Sequence, residues 1–390
     1  MDDDFLLLNP GPVPVSDEVR EAMSAPMMSH RSAEFETIYE RAQEGAEYVF
    51  THSTTNETDT SVPGETLIFN GTATMAMEAA VANVVEQGDE VVSLVNGKFG
   101  RRFARIADRY TDAVTRVEAT WGESISLSDV DAAVSDETTM VTMVHNETST
   151  GLQNPAWGVG RIARESDALF VLDGVTSIGG DVFSLADWHV DIALTDAQKA
   201  LAAPPGTSAM YLTERAADRI DGESAPFYED LDWHLRKADS HQTPFTSAIP
   251  LYLGLAEAVE EIQSEGMPAR IDRHHRQARA FRDGFTEMGL ELFATASDHT
   301  VLSNTLTAVS LPEGVRGQDE EFMAAVAERN VSISGGQAHL GGEIFRVSNM
   351  GRFADEDIIR GVETVGEAMT DVGVDVDTDA GVAAAKRRLE

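Results

Sequence analysis

ALFVLDGVTSIGG (168–180) and VDIALTDAQKALAAPPG (190–206) decide the fold of this chain. Each opens with an apolar run of strand length, and each run closes on an acidic residue. Runs that are apolar at nearly every position read as strands buried on both faces, as in a parallel sheet covered by helices. Lys199 lies just beyond the second run, and Asp173 closes the first. The chain has only Lys98, Lys199, Lys237 and Lys386 among 29 basic residues, set against 67 acidic ones. Where arginine holds nearly every basic position, a lysine kept between apolar segments suggests that its amine is needed. A buried lysine can lose its proton and form a Schiff base; an arginine cannot.

A carboxylate at the end of a buried strand can pair with a pyridinium nitrogen, the electronic partner used in pyridoxal-phosphate sites. Taken alone, Lys199 also reads as a surface lysine at a strand end, and Asp173 as a helix cap. Together, in this order, they favour the cofactor site.

Outward from these segments, strand and helix signals alternate, which implies an α/β fold with a mostly parallel sheet sandwiched by helices. Asn9-Pro10-Gly11-Pro12 is an irregular lead-in that cannot be helical, and Ser16-Asp17-Glu18 begins a helix with capping chemistry. Polar, turn-rich 52–65 reads as an exposed loop. TLIFNG, EVVSLV, MVTMVHNE, ALFVLDG and VDIALTD read as strands, with SAMYLT returning. TATMAMEAAVANVV and GRRFARIADRY read as helices, and a long amphipathic helix is expected over 244–266. IDRHHRQARAFRDGFTEMG is another helix, after which TLTAVSLP, EEFMAAVAERN, VSISGG and IFRVSNMG suggest a smaller α+β unit. The expected division is an extended segment 1–15, a large domain 16–266 and a small C-terminal domain 267–390.

Composition narrows the partners. The formal net charge is −38, with acids spread along the chain. Such a surface repels nucleic-acid backbones and anionic membranes. Dispersed acid with scarce lysine suits a cytoplasmic protein of a halophile, where the Debye length falls to about 3 Å at molar salt. Cysteine is absent, so there is no disulfide framework, thiolate metal site or cysteine nucleophile. The apolar run near the N-terminus is too short for a signal peptide, and no stretch approaches a membrane span. His274 and His275 have no acid at ligand spacing and are expected on a solvated helix face, so no metal site is expected. The Asn-Glu-Thr runs at Asn56 and Asn146 match a glycosylation sequon only by chance.

Three further segments gather at strand ends, where open α/β sheets bind ligands. Phe69-Asn70-Gly71-Thr72-Ala73-Thr74 joins a strand to an apolar helix whose free N–H groups suit a phosphate; a plain capped helix start looks similar. In Asn96-Gly97-Lys98-Phe99-Gly100 the aromatic can stack on a planar ring or simply pack in the core. His145 to Gly151 follows the strand MVTMV and offers hydroxyls for a phenolic oxygen, or a Ser/Thr turn.

These motifs, in this order from NPGP to IFRVSNMG, resemble the class V aminotransferases among fold-type I pyridoxal-phosphate enzymes, in the alanine–glyoxylate and serine–pyruvate group. The resemblance implies that Lys199 is the Schiff-base lysine and that Gln198 contacts the cofactor phosphate. It implies that Asp173 pairs with the pyridine nitrogen, Thr148 reaches the ring hydroxyl and Phe99 stacks on the ring. Thr72, Ala73 and Thr74 would form the phosphate loop, Arg346 would bind the substrate α-carboxylate, and Gly11 would lie on the substrate side. A homodimer with a shared active site is implied, Thr243 completing the neighbour's phosphate site; Ser240 stands where relatives often carry tyrosine. His30-Arg31-Ser32 matches a pattern in archaeal and bacterial members without an assigned role. The implied activity is transfer of an amino group from alanine or serine to glyoxylate or pyruvate. Aspartate or another small amino acid is the alternative donor, and a lyase of the cysteine-desulfurase kind would need the cysteine this chain lacks.

Overall fold

The computed structural model describes residues 4–220, 225–297 and 300–390; residues 1–3 of the expected N-terminal segment lie outside these. A seven-stranded sheet organises the larger part of the chain. Its strands are β1 (Gly64–Asn70), β2 (Glu90–Val95), β3 (Val114–Glu118), β4 (Thr138–Val144), β5 (Leu169–Asp173), β6 (Ile192–Asp196) and β7 (Thr207–Thr213). They lie side by side in the order β1-β7-β6-β5-β4-β2-β3. The run β6-β5-β4-β2-β3 is parallel, and β7 is antiparallel to both of its neighbours, as the returning strand SAMYLT foretold.

The reason for this sheet is visible in β5. Phe170 and Leu172 point into one apolar core, with Phe35, Tyr39 and Tyr252. Leu169 and Val171 point into the other, with Met77, Phe103 and Met210. All four are fully buried, each contributing roughly 1.5–3 kcal/mol, so an uninterrupted apolar run is stable only in the middle of a covered sheet.

Helices α1 (Ala33–His52), α2 (Ala73–Ala82), α3 (Lys98–Ala107), α4 (Ala156–Glu165) and α5 (Ile249–Glu265) cover these faces. The long helix expected from residue 244 begins only at Ile249. The Thr243 hydroxyl bonds to Phe245 O (2.7 Å) and Ser247 Oγ (2.6 Å), which holds 243–247 in a turn, while Pro250 is tolerated in the first helical turn. The exposed loop expected over 52–65 is shorter at both ends, and Thr60 is buried, its N–H on Thr51 O (2.8 Å).

Helix α6 (Met267–Glu287) starts where the small unit was expected. Met267 and Ile271 pack in the first core, whereas Ala280, Phe281 and Phe285 pack in a separate one. That second core also holds Leu6 and Leu8, because the strand Leu6–Leu7 pairs in parallel with Val331–Ser332. It is completed by helices α7 (Asp355–Asp371) and α8 (Thr378–Leu389) and by the three-stranded sheet of Leu306–Ser310, Ile344–Ser348 and Ser334–Gly335. No helix among the described residues is long and apolar enough to cross a membrane.

The solvated face expected for His274 and His275 is corrected by this arrangement. His274 is fully buried with Nδ1 against Arg270 O (2.8 Å), and His275 Nε2 meets Asp181 Oδ1 at 2.7 Å. At this turn α6 keeps Asp272 and Arg279 exposed but turns His274 into the packed interior, and the acid that partners His275 is remote in sequence.

Candidate active site

Five strands end at one cavity of about 220 Å³. Thr72, Ala73 and Thr74 enter it after β1, Phe99 after β2, Val144 and Thr148 after β4, Asp173 at the end of β5, and Asp196, Gln198 and Lys199 after β6. Eight residues singled out in the sequence therefore meet in one place, at the carboxyl ends of the strands.

Lys199 is mostly buried, and its Nζ donates to Pro10 O at 2.5 Å. Burial draws its pKa down to about 8; the acids Asp196 and Asp173 oppose the shift, and Arg346 and Arg102 reinforce it. The amine is thus far nearer its neutral, nucleophilic form than an exposed lysine. Gly11 presses on it. With φ at +128°, a Cβ on Gly11 would fall 2.3 Å from Lys199 Nζ, so only glycine leaves room for the amine.

Asp173 is buried, and burial pushes its pKa up to about 7, with Val175 N–H (2.9 Å) working the other way. No cation is paired with it among the described residues. A desolvated carboxylate in this state calls for a positively charged partner. Asp196, at the end of the next strand, is likewise pushed up to about 6 by burial and accepts from Gln198 Nε2 at 2.6 Å.

Beside Asp196, which also meets the Ala73 N–H, Thr72 stands at the N-cap of α2 without a side-chain capping bond. The N–H groups of that first turn and the helix dipole suit an anion. Arg102 lines the cavity beside them, its Nη1 donating to Thr74 Oγ1 at 2.7 Å. An unpaired carboxylate, a depressed lysine and an anion-binding helix end fit a molecule with a protonated ring nitrogen, an aldehyde and a phosphate.

Glu147 joins the two remaining pieces. Fully buried, it accepts from Phe99 N (3.2 Å), Gly100 N (3.1 Å), Ser149 N (3.1 Å) and Ser149 Oγ (2.5 Å). The start of α3 and the Thr148 loop are held together through that one carboxylate. Thr148 Oγ1 meets Thr176 Oγ1 at 3.1 Å, and Thr148 O accepts from Arg346 Nη1 at 2.9 Å. Arg346 does not line the cavity but hangs on its wall, buried, with its other nitrogens on Gly335 O. Both of its partners are neutral carbonyls, which leaves its charge available to an incoming carboxylate.

A model of the family described as aminotransferase class-V matches residues 8–354. An uncharacterised aminotransferase of Methanocaldococcus jannaschii is 35% identical over 98% of this chain and 97% of its own length. The L-aspartate–glyoxylate aminotransferase of Paracoccus denitrificans is 30% identical over 97% and 94%. The crystal structure of pyridoxamine–pyruvate aminotransferase from Mesorhizobium loti superposes with a TM-score of 0.90 at 27% identity, covering 98% of this chain and 96% of that one. The chain belongs to the class V aminotransferases.

This class V aminotransferase accordingly has the fold-type I architecture, depends on pyridoxal phosphate and works on an amino acid and a 2-oxo acid. Three expected site residues do not line the cavity: Gly11 stands against Lys199 and Arg346 against Thr148, while Thr243 is 1% exposed with its hydroxyl engaged within the chain, and Ser240 is exposed. Arg31, left without a role in the sequence, donates to Gln242 Oε1 (2.9 Å), Thr243 O (2.7 Å) and Pro244 O (3.1 Å), and so pins that segment. Arg102, Asp196 and Glu147 were missed. Asp196 ends VDIALTD just as Asp173 ends its own strand, so its signal was present; the partners of Arg102 and Glu147 lie too far along the chain for spacing to reveal them.

Proposed function

We propose that this aminotransferase moves an amino group from a small amino acid, alanine or serine, to glyoxylate or pyruvate, with aspartate as the alternative donor. The observation that carries the reading is a depressed lysine and an unpaired buried carboxylate in one cavity, with Arg346 hung on its wall. Pyridoxal phosphate, when bound, supplies the electron sink for the substrate's α-carbon. Asp173 would hold a proton on its ring nitrogen, and Thr148 would offer its hydroxyl to its ring oxygen. Phe99 would cover one face of the ring, while Thr72, Ala73, Thr74, Gln198 and Arg102 would receive the phosphate at the α2 terminus. Arg346 takes the substrate α-carboxylate in a bidentate fork. Lys199 Nζ would hold the cofactor and, as an amine near its neutral form, would serve as the base for the substrate's α-proton. Gly11 keeps the space this nitrogen needs.

The same reading includes a homodimer in the cytoplasm of a halophile, with Thr243 serving the neighbour's site and a division of the chain near residue 267. No lyase step that needs a cysteine nucleophile is open to a chain without cysteine. Half-reactions test the proposal: the purified yellow enzyme is mixed with single amino acids and its visible absorbance followed. Alanine, serine or aspartate should bleach it, and glyoxylate or pyruvate should restore it. An absorbance that no amino acid changes would refute the transfer.

A further inference from the structure

Helix α3 breaks a charge rule that α1 and α7 obey, and opens on a cation where α2, α4, α5 and α6 open on neutral residues. Acids are favoured at a helix N-terminus and cations are not. Helix α1 opens with Glu34 and Glu36, and α7 with Asp355, Glu356 and Asp357. Helix α3 opens on Lys98 with no acid in its first turn, and Arg101, Arg102, Arg105 and Arg109 follow. Spacings of three and four residues set Lys98, Arg101, Arg102 and Arg105 along one face, where Lys98–Arg102 and Arg101–Arg105 are like-charge neighbours that weaken a helix, and Arg109 lies in the turn just past its end. Acids abound in a chain of net charge −38. Yet among the described residues none of these five cations has a carboxylate within 4.0 Å, and nearby Asp108 pairs instead with Arg116.

The side chains are held by other means. The Arg101 guanidinium lies 5.0 Å over the ring of Trp121, and Arg102 lies 5.0 Å over Phe99. With Thr74 they border a recess of about 600 Å³. Thr74 and Arg102 also line the Lys199 cavity, so the recess and the cavity share a wall. Arg102 and the α2 terminus are enough for the cofactor phosphate, which leaves Lys98, Arg101, Arg105 and Arg109 without an anion. Locally unfavourable choices concentrated beside a site mark a function.

We propose that this recess receives a second anionic group of the substrate, a carboxylate or a phosphate. The enzyme then prefers amino donors and 2-oxo acceptors with an acidic far end over alanine and serine. The inference rests on the transaminase reading and, for that same site, selects its alternative, an acidic donor such as aspartate, over alanine and serine. A guanidinium held over the Trp121 ring presents a fork for an oxyanion. A local positive field also draws an anionic substrate toward a molecule whose overall charge repels it.

Two measurements test it. The first is the kcat/KM of aspartate, glutamate and O-phosphoserine, each relative to alanine, in the wild-type holoenzyme. The same ratios are measured in the double variant Arg101→Gln/Arg105→Gln and in Arg164→Gln on the remote helix α4. The ratio should exceed one in the wild type, fall at least tenfold in the double variant and hold in Arg164→Gln. Whether the carboxylates or the phosphate lead identifies the anion. The second is direct binding, read from the fluorescence of Trp121 and assigned by its loss in Trp121→Phe, with succinate and propionate as probes. Succinate should bind more tightly than propionate, and the difference should vanish in the double variant. A ratio at or below one, or one that the double variant leaves unchanged, overturns the proposal. So does a double variant whose only change is in sedimentation, which would make the patch a contact between copies. A protein that binds succinate in this way but reacts with no amino acid contradicts the transaminase reading instead.

Discussion

At Lys199 the decisive quantity is a proton. A pKa lowered to about 8 means that the neutral fraction of the amine rises about tenfold per pH unit below 8 and levels off above it. The rate at which cofactor-free enzyme captures pyridoxal phosphate should follow that curve, as stopped-flow absorbance can show; a curve still rising toward pH 10.5 would mean an exposed, ordinary lysine. Gly11→Ala should keep the fold and lower turnover by about 100-fold, the cost of displacing a reacting atom by about 1 Å, because the added Cβ competes with Nζ for one space. Turnover near wild type would show that Gly11 is only a turn residue. At Asp173 function opposes stability. Its pKa is raised to about 7, above the unfolded value, so the folded chain binds the extra proton and its stability falls as pH rises from about 4 to 7. Asp173→Asn removes that penalty. Cofactor-free Asp173→Asn should therefore melt higher than wild type by a margin that grows over this range and is flat above it. The half-reaction of the loaded variant should be much slower, since the ring nitrogen loses its counter-charge. A margin that does not change with pH would place the stabilisation elsewhere.

At the scale of elements, the sheet was legible and the ties between elements were not. Strands such as LFVLD are uninterrupted apolar runs because both faces are covered, and the site residues follow them directly. Eight of them could be named because each lies within a few residues of a strand end. Helix α6 shows the other case. Arg270, buried between layers, donates to Gly179 O (2.6 Å) and Ala200 O (2.7 Å) and pairs with Glu265 (2.9 Å). It thereby fastens the loop after Asp173 to the turn after Lys199. Nothing in PARIDRHHRQARAF announces this, since the partners lie 91 and 70 residues away; a similar separation hid the pairing of His275 with Asp181. Removing Arg270 leaves Gly179 O and Ala200 O unpaired in the interior, at about 1–3 kcal/mol each, a large share of a typical stability of about 5–15 kcal/mol. Arg270→Met should lower Tm and loosen cofactor binding together, measured by melting curves with and without pyridoxal phosphate. A variant that melts lower but binds cofactor as before would separate the helix from the site.

For the whole molecule, charge and cofactor give separate tests. A surplus of 38 negative charges is screened over about 3 Å at molar salt but over about 10 Å at 0.1 M. Sedimentation and absorbance across a potassium chloride series should show assembly, cofactor and activity lost together as salt falls; a monomer still yellow and active in dilute buffer would contradict the shared site. The account as a whole depends on one lysine out of four. Reducing the yellow enzyme with borohydride and mapping the adduct by peptide mass spectrometry addresses it directly. The cofactor mass should be found on Lys199 and on none of Lys98, Lys237 and Lys386; an adduct on any of those three, or on no lysine, would contradict it.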